Sequence, residues 1–324
     1  MCLIRLIKHM KIGSEFKVGN MIFLNEKQTA TLISNKVAYH AVKDAFIAAV
    51  SDKATLFPVV SAAGTMPGST FSLKSACTET IVGWKTGSYW PQNIALGRPC
   101  HGTTIFLLDS DNGSLKAIVE ASQVNAFRTA AADAVAVDYL ARRDASSLAV
   151  FGTGHQAEYE VMAISEVRDI DTVLVVGRSI EKTEALIDKL RKKGVSAKSS
   201  DAKTACENAD IIITVTTSGT ALFQAEWVKP GTHISAMGAD KKGKQELPIE
   251  LYLNAALFCD FESQSVEIGE FQHTKNASII DIGQVLNGIR SGRISSTDIT
   301  IFDSSGIAIQ DLFVANKLIN LFEA

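Results

Sequence analysis

Between residues 26 and 51, apolar side chains recur three and four positions apart: Leu32, Ile33, Val37, Val42, Ala45, Phe46, Ala49 and Val50. That spacing puts them on one face of a helix, and Asn25 stands where an N-cap is needed. From residue 52 to 121 the pattern changes to short strand-like runs, among them Phe71–Ala76 and Thr80–Lys85. Thr103–Leu108 and Leu115–Glu120 flank Asp109-Ser-Asp-Asn-Gly113, whose Asn-Gly pair suits the left-handed backbone of a hairpin turn. The stretch predicts a mostly antiparallel sheet. Ser122 is placed to cap a long helix, rich in alanine and valine, that runs to about Ala141. After a polar joint at 142–147, strands are expected at Leu148–Phe151, Thr172–Val176, Val195–Lys198, Asp210–Val215, His233–Met237 and Ala256–Cys259. Helical stretches lie between most of them. Such alternation buries both faces of a parallel sheet beneath helices. A strand at Ile299–Asp303 and a helix at Ile307–Phe322 end the pattern.

The expected fold class is therefore α/β, with two domains. Residues 145–298 form a Rossmann-type doubly wound parallel sheet. Residues 21–144 form an α+β substrate-binding domain with the antiparallel sheet, completed by 299–324. Residues 1–20 read as a tail: Arg5 and Lys8 interrupt its apolar pieces before a signal-type core can form. A length of 324 residues suits two domains, and 46% apolar residues suffice for a sizeable core. A net charge of -3 makes no basic field, so neither nucleic acid nor an anionic membrane is an expected partner. No apolar run reaches the ~18 residues of a membrane span. The cysteines Cys2, Cys77, Cys100, Cys206 and Cys259 form no C-x-x-C pair and read as reduced thiols of a cytoplasmic protein.

The first stretch with chemistry is Gly152-Thr153-Gly154-His155-Gln156-Ala157, a G-x-G-x-x-A run between an apolar strand and a helix. The first glycine allows the tight turn and the second lets backbone approach a pyrophosphate. The small third residue lets helix and strand pack closely. Free amides and the helix dipole favour the phosphates. The next strand ends at Arg178-Ser179, where an NAD enzyme usually places an acid for the ribose hydroxyl. A guanidinium suits a 2′-phosphate, so NADP(H) is expected before NAD(H), with Glu181 as a nearby ribose partner for the other case. Thr216, after the 210–215 strand, joins the expected cofactor residues.

Four further stretches stand out: Gly83–Asn93, around Lys85; Asn125–Ala132, with Arg128 in an otherwise small, apolar helix; Ala236–Leu247, containing Gly238 and Asp240; and Phe302–Asp311. An arginine or lysine could hold a small acid's carboxylate, Arg128 bidentately and Lys85 as a point charge. Asp240 follows a strand at the carboxyl edge of the sheet, where ligands bind in open α/β folds. Plainer roles remain open at each: an internal ion pair of Arg128 with Asp133 or another acid, a solvent-facing Lys85, and Asp240 as a helix cap. His101, His155 and His273 share no metal-ligand spacing, and Trp84, Tyr89 and Trp90 suit either a pocket wall or a core.

Together these stretches resemble the ornithine cyclodeaminase/mu-crystallin family over nearly all of residues 22–324. Within it they are most similar to the Δ1-pyrroline-2-carboxylate reductases, through Lys85-Thr-Gly-Ser-Tyr-Trp-Pro, Arg98-Pro-Cys-His101-Gly and Arg128-Thr-Ala-Ala-Ala-Asp133. The resemblance implies a homodimer with an imino-acid site between the domains. It assigns Lys85 and Arg128 to the substrate carboxylate, Asp240 to the reacting nitrogen, and the Ser304–Gly306 loop to the nicotinamide. Many members carry a further arginine upstream of Met66-Pro67. Leu56–Ala63 has none, and Lys74 is the nearest cation to replace it. The implied reaction is reduction of Δ1-pyrroline-2-carboxylate to L-proline, with the six-membered homologue giving L-pipecolate. Ornithine cyclodeamination, an open-chain imine reductase or L-alanine dehydrogenase, and an NADPH-dependent binding protein like mu-crystallin are the alternatives.

Overall fold

The computed structural model describes residues 21–274 and 277–324, so the tail expected at 1–20 lies outside the described residues. The first helical stripe is two helices, α1 (Glu26–Leu32) and α2 (Asn35–Ala49). Asn25 caps α1 through reciprocal 3.0 Å hydrogen bonds with Gln28. The stripe breaks because Ile33 is extended and Ser34 Oγ accepts from the Val37 N–H at 3.2 Å, which starts a new helix.

Strands β1 (Ile22–Leu24), β2 (Thr55–Leu56), β3 (Val60–Ala63), β4 (Thr70–Cys77), β5 (Val82–Tyr89), β6 (His101–Leu108) and β7 (Leu115–Glu120) form the first sheet. Its order is β1-β7-β6-β5-β4-β2, with β3 also on β4. Only β1 and β7 run parallel, as expected for a mostly antiparallel sheet. Its register sets Lys74 opposite Lys85, and Lys85 opposite Ile105.

The alanine-rich helix is α3 (Ser122–Leu140). Ser122 is its first residue and not its cap. Glu26 caps it from α1: its carboxylate accepts from the backbone N–H groups of Ser122 and Gln123 at 3.0 and 2.7 Å. Ala130, Ala131, Ala132, Ala134 and Ala136 are all buried. Side chains this small let α3 pass between the two sheets, touching α2 and β6 on one side and β12 and β15, defined below, on the other.

The second sheet contains β8 (Ser147–Phe151), β9 (Thr172–Val176), β10 (Ala197–Ser199), β11 (Ile211–Thr214), β12 (His233–Ala236), β13 (Ala255–Cys259), β14 (Ile279–Asp281) and β15 (Ile299–Asp303). Its order is β10-β9-β8-β11-β12-β15-β13-β14, and every pair is parallel. Helices α4 (His155–Ile164), α5 (Ile180–Lys192), α6 (Ala202–Asn208), α7 (Glu262–Ile268) and α8 (Ile282–Leu286) connect it. The strand order reverses between β8 and β11, which opens a crevice at their carboxyl ends. β14 was not expected, because three residues carry no readable period.

Residues 299–324, expected to complete the first domain, divide instead. β15 lies inside the parallel sheet between β12 and β13. Helix α9 (Ala308–Glu323) returns across the antiparallel sheet, against β4, β5, β6 and α2. The turn between them, Ser304–Ile307, therefore joins the two sheets. No helix among the described residues is long and apolar enough to cross a membrane.

Candidate active site

A cavity of about 1030 Å³ opens at the reversal point of the parallel sheet. Gly152, Thr153, Gly154 and Gln156 form one wall, Arg178 and Ser179 one end, and Thr216 and Asp240 the facing side. Gly152 has φ +123°, and a Cβ there would stand 2.6 Å from the Val215 carbonyl oxygen. Its glycine is therefore required by the fold. Gly154 caps α4, and a Cβ there would meet nothing within 4 Å. Its glycine leaves open space facing the cavity instead. Ala157 is fully buried against the sheet. A cavity of this volume, with an open glycine at a helix N-terminus, fits a dinucleotide laid along the strand ends.

Arg178 is exposed and lines the cavity, and Lys182 stands beside it. Ser179 Oγ is occupied as the cap of α5, accepting from the Lys182 N–H at 3.3 Å. His155 is exposed, outside the cavity wall, with its ring 4.9 Å from that of Tyr159. Gln156 Nε2 donates to the Ala126 carbonyl at 3.0 Å and to Glu160 Oε1 at 2.8 Å, which ties the turn to α3.

Beyond the cavity, at the β15–α9 turn, Lys85 and Arg128 are buried together, 5% and 8% exposed. Lys85 Nζ donates to Asp311 Oδ1 at 3.0 Å and to Asn125 Oδ1 at 2.9 Å. Arg128 Nε lies 3.2 Å from the same Asp311 oxygen. Its Nη2 donates to Asn125 Oδ1 at 2.9 Å, and its Nη1 to Gln310 Oε1 at 3.3 Å. Arg128 therefore pairs with Asp311 and not with Asp133, and Lys85 does not face solvent. A guanidinium carries five N–H groups, so one remains on each terminal nitrogen, the pair that grips a carboxylate. Burial, and then the charge of Arg128, push the Lys85 pKa down to about 7.

Lys74 reaches the same turn from β4, donating to the carbonyls of Ser305 and Gly306 at 3.1 and 2.6 Å. Burial and Arg128 lower its pKa. Asp260, at the end of β13, holds the turn from the other side. Its carboxylate accepts from the Gly306 N–H at 2.7 Å and from the hydroxyls of Ser304 and Ser305 at 3.2 and 3.3 Å. Gly306 has φ +74°, and a Cβ there would stand 2.9 Å from Arg128 Nη1, so this glycine leaves the guanidinium its place.

Asp240 is exposed after the β12 turn, and its Oδ1 accepts from Lys244 Nζ at 2.6 Å. It caps no helix. Glu246, fully buried, braces the same turn. Its Oε1 accepts from the N–H and hydroxyl of Thr216 at 2.6 and 2.7 Å, and its Oε2 from Gly238 N–H and Thr214 Oγ1 at 2.9 Å each. Both lips of the crevice thus hang on one carboxylate.

Sequence reasoning did not single out Asp311, Asn125, Gln310, Asp260, Glu246 or Lys182. Several fall inside the motif stretches, yet nothing local marks which of their polar residues turns inward. The buried pairing of Arg128 was foreseen as a possibility, but its partner is 183 positions away in the chain and lies on α9.

Comparison with known proteins shows the family and the fold. The family model described as "Ornithine cyclodeaminase/mu-crystallin family" matches residues 21–321. The iminosuccinate reductase of Paracoccus denitrificans is 35% identical over 309 residues, 93% of this chain and 96% of that protein. Its structure in complex with NAD+ superposes with a TM-score of 0.89 at 34% identity, covering 94% and 96%. An archaeal alanine dehydrogenase dimer with bound NAD gives 0.86 at 31% identity, covering 92% and 94%. The Δ1-pyrroline-2-carboxylate reductase of Thermococcus litoralis, with NADH and L-proline, gives 0.85 at 26%, covering 92% and 96%.

Proposed function

The chain belongs to the ornithine cyclodeaminase/mu-crystallin family, and from that premise we propose that it reduces the C=N bond of a 2-imino carboxylate with a nicotinamide dinucleotide. It is an oxidoreductase of the CH–NH/C=N class. One observation carries the substrate reading: in the buried cluster, Lys85 and Arg128 lean on a single carboxylate oxygen, that of Asp311. Two buried cations on one anion leave positive charge uncompensated, which is costly until an anionic group arrives. A substrate carboxylate is such a group, and the free N–H pair of Arg128 suits it. NADPH is the cofactor we assign first, because Arg178 and Lys182 line the end of the cavity and Asp240, at the facing side, is its single acidic lining residue among those described.

A bound reduced nicotinamide supplies the hydride. The chain's own groups do the rest. Arg128 and Lys85 fix the carboxylate and so orient the adjoining C=N carbon, and such positioning removes several kcal/mol of barrier. Asp240 stabilises the positive charge of the protonated imine nitrogen and holds its proton. Δ1-Pyrroline-2-carboxylate, giving L-proline, is the first substrate assigned. An imino dicarboxylate is the second, favoured by Lys74, a third cation whose partners are neutral carbonyls only. A homodimer is the expected assembly, as in the archaeal neighbour. Phe71 and Leu73, exposed on β4, give an apolar face for it.

The test follows oxidation of NADPH and NADH in parallel with Δ1-pyrroline-2-carboxylate, Δ1-piperideine-2-carboxylate, oxaloacetate plus ammonia, and pyruvate plus ammonia. Turnover of a cyclic imine supports the first assignment, and turnover with oxaloacetate plus ammonia the second. Ammonia release from ornithine with no net change in cofactor would overturn both in favour of cyclodeamination. Tight cofactor retention with no turnover of any imine would make the chain a binding protein.

A further inference from the structure

Of the described residues that line the crevice, one alone comes from the antiparallel sheet: His101, the first residue of β6. It lies opposite Tyr89 in the register, and their rings are 4.7 Å apart. Lys85 lies opposite Ile105, four residues further along β6. Four residues is an even number, so His101 and Ile105 point to the same side of the sheet, the side that carries Lys85. At about 3.4 Å per residue, His101 stands about 14 Å down the strand from the clamp. That is too far to touch an imine whose carboxylate lies on Lys85 and Arg128. It lies within the span of a substrate and a dinucleotide laid end to end from the clamp to the glycine turn. His155, at the first turn of α4 beside the Gly152–Gly154 turn, is close enough to bear on the charge of His101.

We infer that His101 is a dinucleotide-binding residue whose imidazolium pairs, across the crevice, with the pyrophosphate held by the Gly152–Gly154 turn. The inference rests on the dinucleotide reading above and goes beyond it. The cofactor then bridges the two sheets, and the crevice closes on it from a side that no glycine motif supplies. It also takes up a proton on binding. In the free protein, desolvation at the cavity wall and the neighbouring His155 draw the His101 pKa down, which disfavours the imidazolium until an anion arrives. Tyr89 on β5 packs on it and His155 on α4 acts on its charge, while the charged groups that share its cavity are Arg178 and Lys182 after β9 and Asp240 and Lys244 after β12. Asp240 is already bonded to Lys244, so no free carboxylate stands ready to charge the ring. A diphosphate reverses the balance, because its negative charge favours the imidazolium.

The experiment titrates the full chain with ADP-ribose, which carries the diphosphate without the nicotinamide, and with NADPH. Calorimetry is run at about pH 7.5 in phosphate and in Tris, whose different ionisation heats report proton uptake. Wild-type protein is expected to take up a fraction of a proton with either ligand. His101→Gln is expected to bind ADP-ribose about tenfold more weakly, with most of the uptake lost. In turnover, its KM for NADPH rises by a larger factor than its kcat falls, whereas His155→Gln keeps most of the uptake. ADP-ribose affinity within about twofold of wild type overturns the inference. So does uptake that survives in His101→Gln and disappears in His155→Gln. A kcat loss at unchanged ADP-ribose affinity also overturns it, by moving His101 to the imine. Wild-type protein that binds neither ligand sinks the dinucleotide reading itself, an outcome distinct from the others.

Discussion

Arg128 shows how much depends on the geometry of one side chain. Its Nε and one N–H of each terminal nitrogen are engaged by Asp311, Asn125 and Gln310, and the remaining pair forms a fork. Arg128→Lys keeps the charge and loses the fork, so the KM for the imino acid should rise by about 10- to 100-fold, with the cofactor KM little changed. Steady-state kinetics checks the split. Lys85 adds a pH dependence of known sign: with a pKa near 7 it loses its proton, and with it the attraction for a carboxylate, as pH rises. The kcat/KM for the imino acid should therefore fall above about pH 7, and Lys85→Met should abolish that limb along with most of the activity. Asp240→Ala should lower turnover far more than NADPH affinity. An unchanged turnover would remove Asp240 from the mechanism.

At the level of elements, the glycine turn between β8 and α4 separates fold from function. Gly152→Ala would force a residue at φ +123° against the Val215 carbonyl, so reduced stability and expression are expected. Gly154→Ala meets no protein atom within 4 Å. It should fold with an unchanged melting temperature and yet bind dinucleotide at least about tenfold more weakly, because its methyl occupies the space of the ligand. Thermal melts and cofactor titrations of the pair check this. The same strand–turn–helix unit was legible in the sequence, since every requirement on it is local: an apolar strand, a left-handed glycine, an open glycine and a small residue within ten positions. The turn after β15 was not. It is held by Lys74 from β4 and by Asp260 from β13, partners 232 and 46 positions away, and no local pattern shows that they meet.

Across the whole molecule, α3 and α4 bring together two acids in the interior, one from each helix. Asp133 and Glu160 are both fully buried, and burial raises the Asp133 pKa to about 7 and that of Glu160 well above its usual range. The two titrate as a coupled pair. The folded state therefore binds more protons than the unfolded chain above about pH 4. The stability this contributes is fully present below that value and is lost as pH rises through 7. Asp210 and Asp138, held low by Lys229 and Ser147 and by Tyr39 and Arg168, act in the opposite direction: their contribution is lost in acid. Greatest stability is thus expected on the mildly acidic side. Melting temperature should decline between about pH 5 and pH 8, and Asp133→Asn should flatten that decline. An Asp133→Asn curve that declines as steeply as that of the wild type would contradict the pairing.

What the sequence by itself determined is whatever depends on neighbours in the chain. The β-alternation of 52–121, the strand–helix alternation after 148, the Asn25 cap and the G-x-G-x-x-A turn are all of this kind. So was the presence of Arg128 in a helix too small and apolar to leave it in water. Only the tertiary structure decided what depends on pieces brought together from afar. It chose Asp311 and not Asp133 as the partner of Arg128, made Glu26 and not Ser122 the cap of α3, and set β15 in the parallel sheet while α9 returned to the other. It also brought His101 to the cavity that the glycine turn lines. The physical reason is the same throughout: backbone periodicity and turn strain act over a few residues, whereas the compensation of a buried charge is settled by whichever group the completed packing brings within hydrogen-bonding reach.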